Sequence, residues 1–223
     1  MSAPDGPISS PTRRDPLTRL AWGIGYLINP LVLPPLFFGW LTGSMAWPSG
    51  AVWKATGLAA LFLGLLPLIT VLVLIAFGGA RTLEVRDRAK RTPAFLAAVG
   101  FGVGAVLAAS WLEWPQRNVL PALLAVFPIN SALLAAINQG TKISVHSASV
   151  TAFASMGLWS SVAAGLPAAL PAAIAVAAPA VMWARVRDQA HTVRQVVLGA
   201  LFGILVPAAE LYLFTAVGWL RFA

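Results

Sequence analysis

The chain has 223 residues, of which 59% are hydrophobic and only 10% charged, and its mean hydropathy is +0.82. That composition excludes an ordinary soluble domain and indicates a polytopic membrane protein. The absence of cysteine excludes disulfides, zinc–thiolate sites and thiol nucleophiles. The net charge of +8 is more typical of membrane topology than of nucleic-acid binding, because no basic patch is interleaved with aromatic residues.

The N-terminal part of the chain changes character near residue 20. Residues 1–19 are polar and contain three arginines, and we predict a disordered basic segment there. Residues 20–47 carry no charge and form the first predicted span. Pro30, Pro34 and Pro35 interrupt this span, which predicts a kinked or partly re-entrant helix.

The remaining spans follow from the spacing of charges and prolines. Residues 147–184 are uncharged and would extend about 57 Å as one helix, so we predict a break at Gly165 to Pro167. The spans after the first are then residues 55–78, 94–112, 119–137, the two halves of 147–184, and 195–220. The sequence predicts an all-α polytopic membrane bundle of about six or seven transmembrane helices, with residues 20–223 as a single domain.

The basic residues are distributed unevenly between the two sides of the predicted membrane. With seven crossings, the N-terminus and the loops after the second, fourth and sixth spans share one side. That side holds all but three of the 15 Lys and Arg residues, the exceptions being Lys54, Arg117 and Arg221. The positive-inside rule therefore places these loops in the cytoplasm, and the protein in the inner, cytoplasmic membrane.

The chain contains only two histidines, and both lie in loops on this side. His146 precedes the uncharged stretch and His191 follows it. Histidine is the side chain best suited to exchanging protons, or to attacking phosphorus, near neutral pH. One histidine can attack while the other protonates the leaving oxygen, so the pair predicts phosphoryl transfer without a metal or cofactor.

The loops after the second, fourth and sixth spans, which include the two histidine loops, also contain four cations that we expect to lie around a common point. Guanidinium groups bind phosphate oxygens in a bidentate manner, and two of these arginines are three residues apart, which places them on one face of a helical turn. The cations are Arg88, Arg91, Lys142 and Arg185. Together they predict a phosphate site at the membrane surface.

The three loops resemble, in order, the three sequence blocks of the type 2 phosphatidic acid phosphatase superfamily of integral-membrane lipid phosphatases. The matching residues are Asp87, Arg88, Arg91 and Pro93 for the first block, Lys142, Ser144 and His146 for the second, and Arg185 and His191 for the third. The second block follows a divergent branch of the family that reads K-I-S-x-H. The resemblance covers the chain from Leu20 to the end of the last span.

The resemblance implies a role for each matching residue. His191 would be the nucleophile that forms a phosphohistidine, and His146 the general acid that protonates the leaving group. The phosphate oxygens would be held by Arg88, Arg91, Lys142, Ser144 and Arg185. The implied substrate is a lipid phosphate or an isoprenoid diphosphate with its headgroup at the cytoplasmic surface. Membrane lipids are the other expected partners, nucleic acid is not expected, and the sequence indicates no particular oligomeric state.

One position departs from the family in a way that bears on activity. The family's aspartate four residues after the nucleophile is Gln195 here, which can accept the ring N–H of His191 but brings no negative charge. Asp188 could take over if that turn is helical, and Ala184 replaces the family's serine before Arg185. Two alternatives stay open: an impaired relative that binds anionic lipid or joins a membrane complex, and a synthase that consumes prenyl diphosphates.

Two further features lie inside the predicted spans. Glu210 is an intramembrane carboxylate, and is equally consistent with a functional site or with a protonated or helix-paired glutamate. Gly100, Gly102 and Gly104 predict close packing against neighbouring helices.

Overall fold

The computed structural model describes residues 15–78, 85 and 91–222. Within these residues the chain is all-α, as predicted, and forms eight helices and no strand. The helices are α1 (Pro16–Leu27), α2 (Leu33–Ser44), α3 (Ser49–Ala76), α4 (Thr92–Trp111), α5 (Val119–Gly140), α6 (Val145–Ala164), α7 (Ala169–Arg187) and α8 (Val193–Ala216).

Five of these helices are long and apolar enough to cross a membrane, namely α3, α4, α5, α7 and α8. Helix α6 is also 20 residues long, but it is richer in serine and threonine. It ends at Ala164, and Gly165 adopts the left-handed conformation with φ of 65°, which confirms the predicted break before α7. The chain is therefore a multi-pass helical membrane protein.

The first predicted span consists of two short helices. Helices α1 and α2 have 12 residues each and are about 18 Å long, so neither alone crosses an apolar core of about 30 Å. Pro30 lies between them, while Pro34 and Pro35 lie in the first turn of α2, where a missing N–H costs little. The predicted interruption by prolines is confirmed.

Helix α1 begins earlier than the sequence indicated. Residues 1–14 lie outside the described part of the chain, but α1 begins at Pro16, within the segment predicted to be disordered. Asp15 explains this start, because its carboxylate accepts hydrogen bonds from Thr18 N at 3.1 Å and Thr18 Oγ1 at 2.7 Å. Arg187 at the end of α7 also pairs with Asp15 at 3.1 Å. The boundary at residue 19 was therefore wrong.

Three interhelical connections meet at one end of the bundle, here called the loop end. The connection after α3 reaches the connection after α5 through Arg91 Nη1, which donates to the carbonyl of Ile143 at 3.4 Å. Lys142 Nζ donates to the carbonyl of Ala190, in the connection after α7, at 3.0 Å. The N-terminus of α1 lies at the same end through the Asp15 pair. The segments that were predicted to share one side of the membrane therefore meet at one end of the bundle.

Tryptophans mark the opposite end of the bundle. Trp47, just after α2, stacks on Trp114 with ring centroids 5.9 Å apart and donates a hydrogen bond from Nε1 to Gln116.

The start of α2 lies against the middle of α3, where the carbonyl oxygen of Leu31 is 2.9 Å from the position that a Cβ on Gly64 would take. Gly64 belongs to a π-helical segment of α3, Ala60–Leu65. Helix α2 thus runs from mid-depth to the tryptophan end.

Helices α6 and α8 pack in direct backbone contact. A Cβ on Gly203 would overlap the carbonyl oxygen of Ala148, and one on Gly199 would stand 2.5 Å from that of Ser144. Thr151 Oγ1 crosses the same interface and donates to the carbonyl of Ala200 at 3.1 Å. Two glycines four residues apart are a common device for close helix approach in membranes. This contact fixes the start of α6 against the start of α8.

The glycines of α4 only partly follow the prediction. Gly102 packs against Pro128 and Gly104 against Phe62, in each case with a contact shorter than 3.0 Å to the position of an added Cβ. These two contacts confirm close packing. The space beside Gly100 is open, so the prediction was wrong for that residue.

Candidate functional site

A cavity of about 350 Å³ extends from the loop end into the bundle. Its polar end is lined by four predicted site residues, which come from separate parts of the chain: Arg91, His146, Arg185 and His191. Most of the remaining lining is apolar and comes from α3, α4, α5 and α6 and from the connection between α1 and α2. The structure thus joins a cationic, histidine-containing end to a largely apolar chamber.

The depth of the cavity follows from the spacing of its lining residues on α6. His146, Ser149, Ala152, Phe153 and Met156 all line it, and their spacing places them along one helix face. Ten residues separate His146 from Met156, which corresponds to about 15 Å along the helix axis. The cavity therefore extends along about half the length of α6.

His191 is held by its neighbours in one orientation. Its ring is almost buried, with 7% of the residue exposed, and its Nδ1 lies 3.0 Å from Oε1 of Gln195. The same oxygen accepts the backbone N–H of Thr192 at 3.3 Å, which identifies it as the amide oxygen rather than the nitrogen. Nδ1 of His191 therefore donates its hydrogen, and the lone pair of the neutral ring lies on Nε2.

A capping box at the start of α8 fixes Gln195 itself. Thr192 Oγ1 accepts the backbone N–H of Gln195 at 3.4 Å, while the Gln195 side chain accepts the backbone N–H of Thr192. The backbone carbonyl of Gln195 also accepts the N–H of Ser144 at 3.0 Å. Gln195 thus caps the start of α8, binds the start of α6 through its backbone carbonyl, and bonds to the His191 ring.

His191 is neutral in this environment. Burial, followed by the charges of Lys142 and Arg91, lowers its pKa to about 3, and the hydrogen bond to Gln195 opposes this shift only in part. The imidazole consequently carries a lone pair throughout the neutral range. An uncharged ring beside cations is the state required of a nucleophile that attacks an anionic phosphate.

Two residues of the second sequence block, His146 and Ser144, have different surroundings in the structure. His146, in the first turn of α6, lines the cavity. Ser144 is completely buried and caps α6, its Oγ accepting hydrogen bonds from the backbone N of Ser147 at 3.3 Å and from Ser147 Oγ at 3.0 Å. Ser144 does not line the cavity, so the structure places its hydroxyl in the helix cap.

Lys142 does not line the cavity. It lines a second pocket at the loop end, together with Gln189, Thr192 and Gln195, and His191 contributes to both pockets. Lys142 is therefore outside the cavity that Arg91 and Arg185 line, although its charge still acts on the His191 ring.

Two arginines remain at the polar end of the cavity. Arg185, in the last turn of α7, is 4% exposed, and its Nη1 lies 3.1 Å from the position of a Cβ on Gly25 of α1. Arg91 donates from Nε to the carbonyl of Val85 at 2.6 Å, in addition to its bond to Ile143. Each guanidinium thus lies against a segment outside its own helix.

Two predicted residues have other outcomes. Arg88 lies outside the described residues, so its place at the site stays a prediction. Asp188 caps the end of α7, where its backbone N donates to the carbonyl of Ala184 at 2.9 Å. Asp188 does not line the cavity, and the Nδ1 of His191 is bonded to Gln195 instead.

Glu210 is paired with a residue of a neighbouring helix, which is one of the alternatives considered for it. Its Oε2 accepts a hydrogen bond from Asn130 Nδ2 at 3.2 Å, which links α8 to α5, and Asn130 also lines the cavity.

In the described part of the chain, no group of three or more His, Asp or Glu side chains offers a metal site.

Sequence reasoning missed the contribution of α1 to the site. Gly25 allows α1 to approach the Arg185 guanidinium, and Tyr26 lines the cavity next to it. No sequence motif marks this contact, because it depends on how α1 folds back on α7. The close packing of Gly199 and Gly203, in contrast, could have been found from their four-residue spacing.

No family model, curated protein or solved structure matches this chain. The resemblance to the lipid phosphatase superfamily therefore stays a prediction, carried by the three loops and by the cavity they close.

Proposed function

We propose that this protein is a membrane-embedded phosphatase that acts on a lipid phosphate or an isoprenoid diphosphate. The observation that supports it is a cavity lined by both histidines and two arginines at one end and by mostly apolar side chains over the rest of its depth. A ligand that fits such a cavity has an anionic head and an apolar chain. The basic loop end faces the cytoplasm under the positive-inside rule, so the head would be taken from that side.

In the proposed reaction, Arg91 and Arg185 bind the non-bridging oxygens of the phosphate. Nε2 of His191 attacks phosphorus, forming the N–P bond as the P–O bond to the leaving group breaks. His146 gives its proton to the leaving oxygen, which departs as an alcohol or a phosphate monoester. Water then attacks the phosphohistidine and passes a proton back to His146, which releases orthophosphate and restores His191.

Gln195 would orient the nucleophile in both steps. Its amide oxygen keeps the hydrogen on Nδ1 and therefore leaves Nε2 available for attack. It supplies no negative charge to the imidazolium-like ring of the phosphohistidine, so turnover would be slower than with a carboxylate at this position.

The absence of a negative charge at Gln195 favours a second candidate function, the binding of anionic lipids without hydrolysis. A binding protein for anionic lipids needs the two arginines and the apolar cavity, but needs no charge behind His191. In that case the loop-end cations bind a lipid headgroup that is never hydrolysed.

Phosphate release from a panel of lipid phosphates and prenyl diphosphates, measured with purified full-length protein and EDTA present, distinguishes the two. We expect turnover by the wild type, none by His191→Gln, and a large loss with Arg185→Gln. Arg187→Gln is the matched control, because Arg187 lies two residues away, is exposed, and pairs with Asp15 outside the cavity. Anionic lipid that binds through Arg185, without phosphate release from any substrate, would favour the binding function.

A further inference from the structure

The deep part of the cavity is lined by aromatic rings. Phe127 of α5 and Phe153 of α6 both line the cavity, and their ring centroids are 5.7 Å apart. Their contact bridges the two helices that form this side of the chamber. We call these two residues the aromatic floor.

A fully packed core lies behind the aromatic floor. Phe37 and Phe38 of α2 contact Phe153 and Phe127 with centroids 5.5 and 5.9 Å apart, and neither lines the cavity. Both are buried, at 1% and 0% exposed. Interiors packed to this degree yield little room without the loss of a side chain, so an apolar chain entering from the loop end has no further path between α5 and α6.

The distance from the histidines to this floor is set by helix geometry. Phe153 is seven residues after His146 on the same helix, and Met156, at 1% exposed, closes the cavity one turn deeper. The phosphate end and the closed end are therefore about 10–15 Å apart along α6. A chain anchored by its phosphate at Arg185 and His191 would have this length available to it.

We infer that the aromatic floor limits the length of the apolar chain that binds fully inside the cavity. The inference rests on the proposed function for the identity of the ligand, an amphiphile with a phosphate head. A chain shorter than the limit leaves the floor uncovered, and a longer chain must either displace the rings or leave its surplus outside. Phe127 and Phe153 are thus specificity-determining residues that lie outside the three loops.

The test uses n-alkylphosphonates of increasing chain length, which carry a similar head and cannot be hydrolysed. Binding to purified full-length protein is measured through thermal stabilisation. Each methylene that the cavity buries from water is expected to strengthen binding by up to about fourfold. The gain should stop at a limiting chain length, at which the chain meets the floor.

Variants should move that limit in opposite directions. Phe153→Ala deepens the cavity and should shift the limit to longer chains, while Ala152→Phe fills the wall above the floor and should shift it to shorter ones. Phe214→Ala is the control: it removes a buried ring that packs on Trp219 and does not line the cavity, so the limit should not move. If Phe153→Ala does not fold, the shift with Ala152→Phe decides alone.

The outcomes also separate this inference from the proposed function. A series with no limit, or a limit that is the same in Phe153→Ala, Ala152→Phe and Phe214→Ala, overturns the role of the floor, even if the wild type hydrolyses alkyl phosphates. A limit that moves as expected supports the floor. In that case, failure of the wild type to release phosphate from the corresponding alkyl phosphates overturns the phosphatase function alone.

Discussion

Nδ1 of His191 lies 3.0 Å from Oε1 of Gln195, an amide oxygen already engaged by the N-terminal cap of α8. The ring is thereby oriented by a group without charge. Burial and neighbouring cations disfavour the imidazolium, and nothing in this hydrogen bond compensates with a negative charge. A carboxylate at this position would both orient the His191 ring and stabilise a positive charge on it. Gln195 orients the ring only.

The first prediction concerns that separation. Gln195→Glu keeps the side-chain length and adds a carboxylate beside Nδ1, so the pKa of His191 should rise by at least about one unit from its lowered value. Nitrogen NMR of histidine-labelled protein measures it, and His146→Asn assigns the signals because the chain has only two histidines. Gln139→Glu, at an exposed position near the end of α5, is the control and should leave the pKa unchanged. A pKa unaffected by Gln195→Glu contradicts the contact.

The second prediction is a dependence of stability on pH. The pKa of His191 is lowered from 6.5 to about 3, so between these values the unfolded chain binds a proton that the folded chain does not. The free energy of unfolding should therefore fall as pH decreases from about 7 to 5, by at most about 1.4 kcal/mol per pH unit from this group. Unfolding in detergent measures it. His191→Asn should flatten this dependence, whereas equal slopes for wild type and variant would refute the assignment.

The third prediction tests the contact of α1 with the site. Gly25→Leu places a side chain where the Arg185 guanidinium lies, and should weaken the binding of inorganic phosphate or an alkylphosphonate by about tenfold, the value of one lost charge-assisted hydrogen bond. Gly23→Leu makes the same change in the same helix, at a position with no atom within 4 Å, and should have little effect. Equal effects of the two variants would show that α1 does not position Arg185.

The fourth prediction concerns the α6–α8 interface. Gly203→Ala forces a methyl group onto the backbone carbonyl of Ala148, and should lower the free energy of unfolding by about 3 kcal/mol, because neither backbone can move without separating the helices. Gly57→Ala, in open space on α3, should be neutral or stabilise by up to about 1 kcal/mol. Detergent unfolding of the two variants measures the difference, and a neutral Gly203→Ala would contradict the close contact.

The helices were predictable because charges, prolines and apolar length define them locally. The uncharged run broke at Gly165 as expected, since no single helix of that length fits a bilayer. The shared end of the three loops followed as well, because consecutive spans alternate in direction. These features depend on neighbouring residues in the chain and on the thickness of the membrane.

The details of the site were less predictable, because they depend on where side chains face after the loops pack. Ser144 was expected to bind phosphate, yet its hydroxyl caps α6. Lys142 was expected beside the arginines, yet it lines a separate pocket. Residue type and spacing indicated which groups come together at the loop end, while the backbone of each loop decides which of them reach the cavity.

The proposed attack of His191 on phosphorus requires a covalent phosphohistidine. Mixing wild-type protein with a radiolabelled substrate from the phosphate-release panel, and quenching in alkali, should trap it as phosphate bound to the protein. We predict a label that is stable in alkali, lost in acid and located on the peptide that contains His191, absent from His191→Gln and present in the exposed control Arg194→Gln. Phosphate release by His191→Gln at the wild-type rate, or no release and no label with any substrate of the panel, would contradict the account.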